Sequence, residues 1–124
     1  MRKTAFLPAI LGAAILAATP AQAVQSPASA PYMTKLKCAA INSFMIGFAG
    51  EDTSEGAAAN DRADAWISAA VAEKANDTQA LANDFAKVAE ELKGAISAKL
   101  DKEDVQGVYA VIDQYQTLCE PYGG

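Results

Sequence analysis

Two cysteines, Cys38 and Cys119, constrain this chain more than any other feature, because they are its only cysteines and lie far apart in the sequence. In an exported protein, a lone pair of cysteines most simply forms one disulfide. The fold must then bring the two Cα atoms to within about 7 Å of each other. The chain has no C-x-x-C motif. We therefore expect a structural bridge rather than a redox-active dithiol.

The expectation of export comes from the first 23 residues. Arg2 and Lys3 precede an apolar run, and small residues (Ala-Gln-Ala) occupy positions 21–23. This is the layout of a secretory signal peptide. We expect residues 1–23 to be cleaved, and the mature protein to begin at Val24 in the bacterial periplasm or outside the cell. The apolar run is too short to span a bilayer comfortably, so no stable membrane anchor is expected.

Removal of residues 1–23 would leave 101 of the 124 residues, enough for one domain with a single core. Without Arg2 and Lys3, eight basic and fifteen acidic residues remain, which gives a net charge of −7. Phosphate backbones and anionic lipid headgroups repel such a surface. Nucleic acids and membrane surfaces are therefore not expected partners.

The remainder of the sequence shows helical periodicity and no alternation typical of strands. Leu81, Phe85 and Leu92 belong to the clearest apolar stripe, with spacings of three and four residues. Prolines and the absence of periodicity predict a flexible leader at 24–33. The predicted helices are 34–49, 57–75, 78–99 and 102–119, and a short tail follows at 120–124. The fold class is all-α.

The expected disulfide favours one topology. Residues 76–77 (Asn-Asp) form only a weak break, so the second and third segments could instead be one long helix. Three alternating helices would place Cys38 and Cys119 at opposite ends, whereas four would place them at the same end. We therefore predict a small four-helix up-down-up-down bundle closed by one disulfide. Asp77 and Asp101 are the expected N-caps of the third and fourth helices.

The residue types present exclude several chemistries. The chain has no histidine, which removes Ser-His and Cys-His dyads, most zinc sites and the usual haem ligand. Phosphate-cradling glycine loops and nucleophile-elbow motifs are also absent. Acidic clusters at 51–55 and 101–104, and the pair Asp61 and Asp64, are interpreted as solvated or helix-capping residues. We expect no catalytic residue, cofactor or metal site.

A contact surface is predicted from large apolar and aromatic side chains. Phe44, Met45 and Phe48 lie around much of the first helix, and Tyr109 and Tyr115 lie on the fourth. A bundle of four helices would leave some of these side chains in solvent unless a ligand, a partner or a second copy covers them. If the first helix packs centrally, all of them are instead core residues.

These observations favour a non-catalytic envelope protein that binds another protein or a small apolar ligand, with a homodimer as one form of such contact. In outline only, a small exported helical protein with one disulfide resembles the periplasmic acid-stress chaperones. That resemblance implies an alternative role as a stress-responsive chaperone, although no residues match a family motif. A small enzyme that depends on carboxylates is the third hypothesis.

Overall fold

The computed structural model describes residues 25–123, and α-helices contain most of them. No strand occurs in this range. The predicted signal peptide lies outside the described residues. The helices are α1 (Tyr32–Ala49), α2 (Ser54–Glu73), α3 (Thr78–Asp101) and α4 (Val105–Cys119), with 3-10 turns at Pro27–Ser29 and Glu120–Tyr122. The prediction of an all-helical fold with four helices is confirmed.

Side-chain caps explain where three of the helices begin. Thr53 accepts a hydrogen bond from the backbone N–H of Gly56 at the start of α2. Asp77 and Asp104 cap α3 and α4 in the same way, each accepting from the N–H three residues later. Each cap satisfies a backbone donor that the first helical turn leaves unpaired.

The predicted capping role of Asp101 is wrong. Asp101 is the last residue of α3, and Asp104 is the N-cap of α4. Between them the chain turns through Glu103, which has a positive φ of 55°. The acidic residues at 101–104 thus span two helix ends, and only the last of them reaches the N–H groups of α4.

Helix α1 lies at the centre of the bundle and packs against each of the other three helices. Its buried residues fall mainly between Lys35 and Asn42, and Leu36 and Ile41 are fully buried. Trp66 of α2 is also fully buried and belongs to the same core. Beyond Asn42 the remaining turns of α1 are only partly covered. The core therefore occupies one half of α1, and its other half approaches the surface.

The disulfide between Cys38 and Cys119 is present and closes the bundle. Its Cα atoms lie 5.8 Å apart, and the two cysteines are 0% and 1% exposed. It joins the second turn of α1 to the last residue of α4. The predicted pairing is confirmed.

The two ends of the described chain pack against each other near this bridge. The backbone N–H of Gln25 donates to the carbonyl oxygen of Pro121 at 2.7 Å. Ala30 is buried in the core, and Tyr122 makes an edge contact with Trp66, with ring centroids 5.9 Å apart. The segments assigned to a leader and a tail thus contribute contacts, which helical periodicity does not detect. None of the helices within residues 25–123 is long and apolar enough to cross a membrane.

Candidate functional site

An open apolar cavity of about 200 Å³ lies between α2 and α3, with α1 as its floor. It forms because α2 and α3 both pack on α1 but make few contacts with each other. Small alanine side chains on all three helices keep the space open. The lining residues are Leu36, Ala39, Ile67, Ala70, Thr78, Leu81, Ala82 and Phe85. Thr78 is the only polar side chain among them.

A second cavity of about 480 Å³ continues along α1 and α3, and Phe85 lines both. Its lining residues are Ala40, Ser43, Phe44, Phe85, Ala89, Leu92, Lys93, Ile96, Ser97 and Leu100. We call the two cavities together the apolar groove. From Thr78 to Leu100 it follows α3 for about 33 Å, at a rise of about 1.5 Å per residue. Lys93 is the only ionisable side chain in its lining.

Three of the predicted contact residues meet beside the second cavity and form an aromatic cluster. The rings of Phe44 and Phe48 stack with centroids 5.8 Å apart, and Phe48 meets the edge of Tyr109 at 6.3 Å. Phe48 and Tyr109 remain 51% and 52% exposed. Phe44 also lines the groove, so the cluster and the groove form one continuous apolar surface.

The other two predicted contact residues have different environments. Met45 and Tyr115 are half-buried and pack against the core. Burial, followed by the negative charge of Glu91, raises the pKa of Tyr115. The structure therefore brings Phe44, Phe48 and Tyr109 together, whereas Met45 and Tyr115 lie outside this cluster. Phe44, Met45 and Tyr115 all pack against the core.

Polar contacts link α1 to α2 and α3 near the start of α1. The ammonium of Lys35, whose side chain is 6% exposed, pairs with the Glu73 carboxylate of α2. Tyr32 donates its hydroxyl hydrogen to Asp84 Oδ2 at 2.9 Å, and Lys74 lies 4.9 Å from the Tyr32 ring centroid. Burial, the Asp84 hydrogen bond and the Asp84 charge raise the pKa of Tyr32 to about 12. These contacts hold one end of the groove in place.

A second polar group lies near the disulfide. Asn42 is buried, and its side-chain amide donates to the carbonyl oxygen of Cys38 at 2.9 Å. Arg62 of α2 donates from Nε to the Asn42 side-chain oxygen, also at 2.9 Å. Such a buried amide is stable only when its hydrogen bonds are made. These hydrogen bonds join α2 to α1 close to the disulfide.

The carboxylates considered as candidates for chemistry remain on the surface. Asp61 and Asp64 are exposed on α2, and Glu51, Asp52 and Glu55 are exposed around the preceding loop. Within the described range, no group of three or more Cys, Asp or Glu side chains is placed to hold a metal ion.

The apolar stripe of α3 and the predicted contact surface contain several of the large groove residues, but helical spacing does not show that they line a groove. Leu81 and Phe85 belong to the apolar stripe of α3, and both are only partly buried. The signal that could have revealed the groove is the alanine content of α2, since thin side chains cannot fill the space between helices. Comparisons with protein-family models, with curated proteins and with solved structures found no match.

Proposed function

We propose that this chain is an exported, non-catalytic binding protein whose apolar groove holds a small apolar ligand. The observation that supports this proposal is the groove itself, which presents Leu81, Phe85 and Leu100 along one open face. Ligand sites are typically concave and mostly apolar, with a few polar groups that fix orientation. Small-molecule sites have volumes of about 300–1,000 Å³. The two neighbouring cavities, of about 200 and 480 Å³, reach that range together.

Burial of hydrocarbon supplies the binding energy in this proposal. Each methylene removed from water contributes about 0.8 kcal/mol before the costs of association. An elongated chain matches the groove better than a compact ring system, because the groove runs along a helix. The partly buried Phe85 lies where the two cavities meet and would contact the middle of such a ligand.

Export from the cytoplasm is the second part of the proposal. A disulfide is compatible with an oxidising compartment, where such bonds persist. The basic, apolar and small-residue order of residues 1–23 supports cleavage before Val24. We place the mature protein in the periplasm or outside the cell.

Up-down-up-down connectivity is part of the same proposal. The loops at 50–53, 74–77 and 102–104 are short, and short connections favour antiparallel neighbours. The disulfide then joins the beginning of α1 to the end of α4, which this arrangement places at the same end of the bundle.

A paired substitution in α3 tests whether the groove is the binding site. Ala82 lines the groove and is exposed, so Ala82→Glu introduces a charge there without disturbing the core. Ala98→Glu is the control, because Ala98 is exposed on the same helix and does not line either cavity. Helix propensity is equally affected in the two variants.

The assay is displacement of N-phenylnaphthylamine by hexadecanol, both kept below their solubility limits. We expect the wild-type protein and Ala98→Glu to bind hexadecanol equally, and Ala82→Glu to bind it at least tenfold more weakly. Equal binding by all three proteins would place the ligand elsewhere. No binding by any of them would refute the proposed function.

The aromatic cluster favours a second candidate function, contact with a protein or with a second copy of this chain. Aromatic side chains are enriched in protein interfaces, and Phe48 and Tyr109 each expose half of their surface. Sedimentation velocity tests the homodimer directly. A wild-type dimer that Phe48→Ser converts to a folded monomer would support this role, and a wild-type monomer at all concentrations would exclude it.

A further inference from the structure

The polar side chains of the apolar groove are not spread along it. Ser43, Lys93 and Ser97 all line the second cavity, and the first has only Thr78, at its far end. Lys93 and Ser97 are separated by four residues and therefore lie on the same face of α3. Ser43 belongs to α1, on the opposite wall. One ammonium and two hydroxyl groups thus occupy one stretch of an otherwise apolar groove.

The Lys93 ammonium has no carboxylate within 4.0 Å in the part of the chain that the structure describes; the one ion pair found there joins Lys35 to Glu73. Glu90 and Glu91 are on neighbouring positions of α3, but neither forms an ion pair with Lys93. In a protein with fifteen acidic residues, an unpaired ammonium beside an apolar groove gives one local site of positive charge. That charge is complementary to an anionic head on an apolar ligand.

We propose that the ligand is a single-chain fatty acid whose carboxylate binds Lys93, with Ser43 and Ser97 as hydroxyl donors. This inference rests on the proposed binding function and specifies its ligand. The acyl chain extends from Lys93 past Phe85 towards Thr78. Along α3 that path is about 22 Å, at about 1.5 Å per residue. The hydrocarbon provides most of the affinity, and the charge fixes which end of the ligand lies at Lys93.

The test compares hexadecanoate with hexadecanol, which differ only in the head group. Lys93→Gln removes the ammonium and keeps a polar side chain of similar reach. Lys87→Gln is the matched control, because Lys87 is exposed on the same helix and lines neither cavity. Affinities are measured by dye displacement at neutral pH and low ionic strength, because salt screens exposed charges.

We expect Lys93→Gln to weaken hexadecanoate binding about fivefold, the upper range for a solvent-exposed ion pair. Hexadecanol binding should not change in this variant, and Lys87→Gln should bind both ligands as the wild type does. Added salt should weaken hexadecanoate binding to the wild type and have little effect in Lys93→Gln.

Two results would overturn the inference and are distinguishable from each other. If both ligands bind the wild type and Lys93→Gln with unchanged affinity, the groove binds apolar chains but Lys93 does not select a carboxylate. If Lys93→Gln and Lys87→Gln weaken hexadecanoate binding equally, the effect comes from the change in net charge and not from the position of Lys93. Failure of the wild type to bind either ligand would instead refute the proposed function itself.

Discussion

Loss of the Cys38–Cys119 disulfide should remove a large part of the stability of this bundle. The bridge joins residues separated by 81 positions, so it closes nearly the whole described chain into one loop. In the chain-entropy treatment, closing a loop of this length destabilises the denatured state by about 4.5 kcal/mol. Domains of this size typically have a net stability of about 5–15 kcal/mol. The reduced protein should therefore be only marginally stable.

The assay is urea unfolding of residues 24–124, oxidised and reduced, followed by far-UV circular dichroism. Because both cysteines are buried, the reduced sample is prepared by reduction in denaturant and refolding with reductant present. At a slope of about 1–3 kcal/mol per molar urea, a loss of about 4.5 kcal/mol should lower the midpoint by about 1.5–4.5 M. The double variant Cys38→Ala and Cys119→Ala is the control for the reductant, which should not change its midpoint.

A loss below about 1 kcal/mol would refute this reasoning. It would mean that the denatured chain already keeps its two ends close without the bridge, for instance through residual helical contacts. Complete unfolding of the reduced chain would agree with the account, because the predicted loss is comparable to the lower range of domain stabilities.

Four further predictions concern single side chains. Gly56→Ala should destabilise the fold by about 1–3 kcal/mol, because its Cβ would lie 1.9 Å from a backbone carbonyl oxygen of the preceding loop. Gly94→Ala, in open space within α3, should stabilise it by about 0.5–1 kcal/mol, and thermal unfolding of both variants checks the opposite signs. Asn42→Ala should cost about 1–3 kcal/mol through its lost buried hydrogen bonds, whereas exposed Asn60→Ala should be nearly neutral in the same urea assay. Tyr32 should ionise at a pKa of about 12 instead of 10.0. Its contribution to stability is therefore complete below pH 10 and is lost as the pH rises to about 12. Absorbance titration of the wild type against Tyr32→Phe measures this pKa, and ionisation of Tyr32 near pH 10 would contradict the prediction.

The helices could be predicted from sequence because their apolar spacing is regular. Leu81, Phe85 and Leu92 repeat with helical spacing, and the cysteine pair required a turn between the second and third helices. The exact start of α4 could not be predicted in this way. Asp101, Glu103 and Asp104 all offer carboxylate oxygens in sequence, and only the turn through Glu103 decides that Asp104 reaches the first N–H groups.

The groove could not be predicted because it depends on a distance between helices, which periodicity does not report. An apolar stripe has the same spacing in the sequence whether or not a neighbouring helix covers it. Leu81 and Phe85 therefore have the spacing of a buried face, although α2 does not approach α3 closely enough to bury them fully. The polar contacts of Tyr32 and Lys35 were missed for a similar reason, since their partners are distant in sequence.

The aromatic cluster could be predicted from the sequence only in part. Excess apolar side chains on the first helix predicted that some would remain in solvent, and Phe48 does. The sequence could not indicate which ones, because burial along α1 decreases after Asn42 and apolar spacing does not report this change. Met45 packs against the core, whereas Phe48 is exposed one turn further along.

The central claim is that the groove along α3 binds an elongated apolar ligand, and amide chemical shifts test it most directly. The measurement is a two-dimensional nitrogen–proton spectrum of the oxidised, isotope-labelled residues 24–124, titrated with hexadecanoate. The account predicts saturable shifts at Leu36, Phe85 and Leu92, with little change at the exposed residues Asp61 and Asp113 of the other helices. Shifts absent from the groove residues, or confined to Phe48 and Tyr109, would contradict the account.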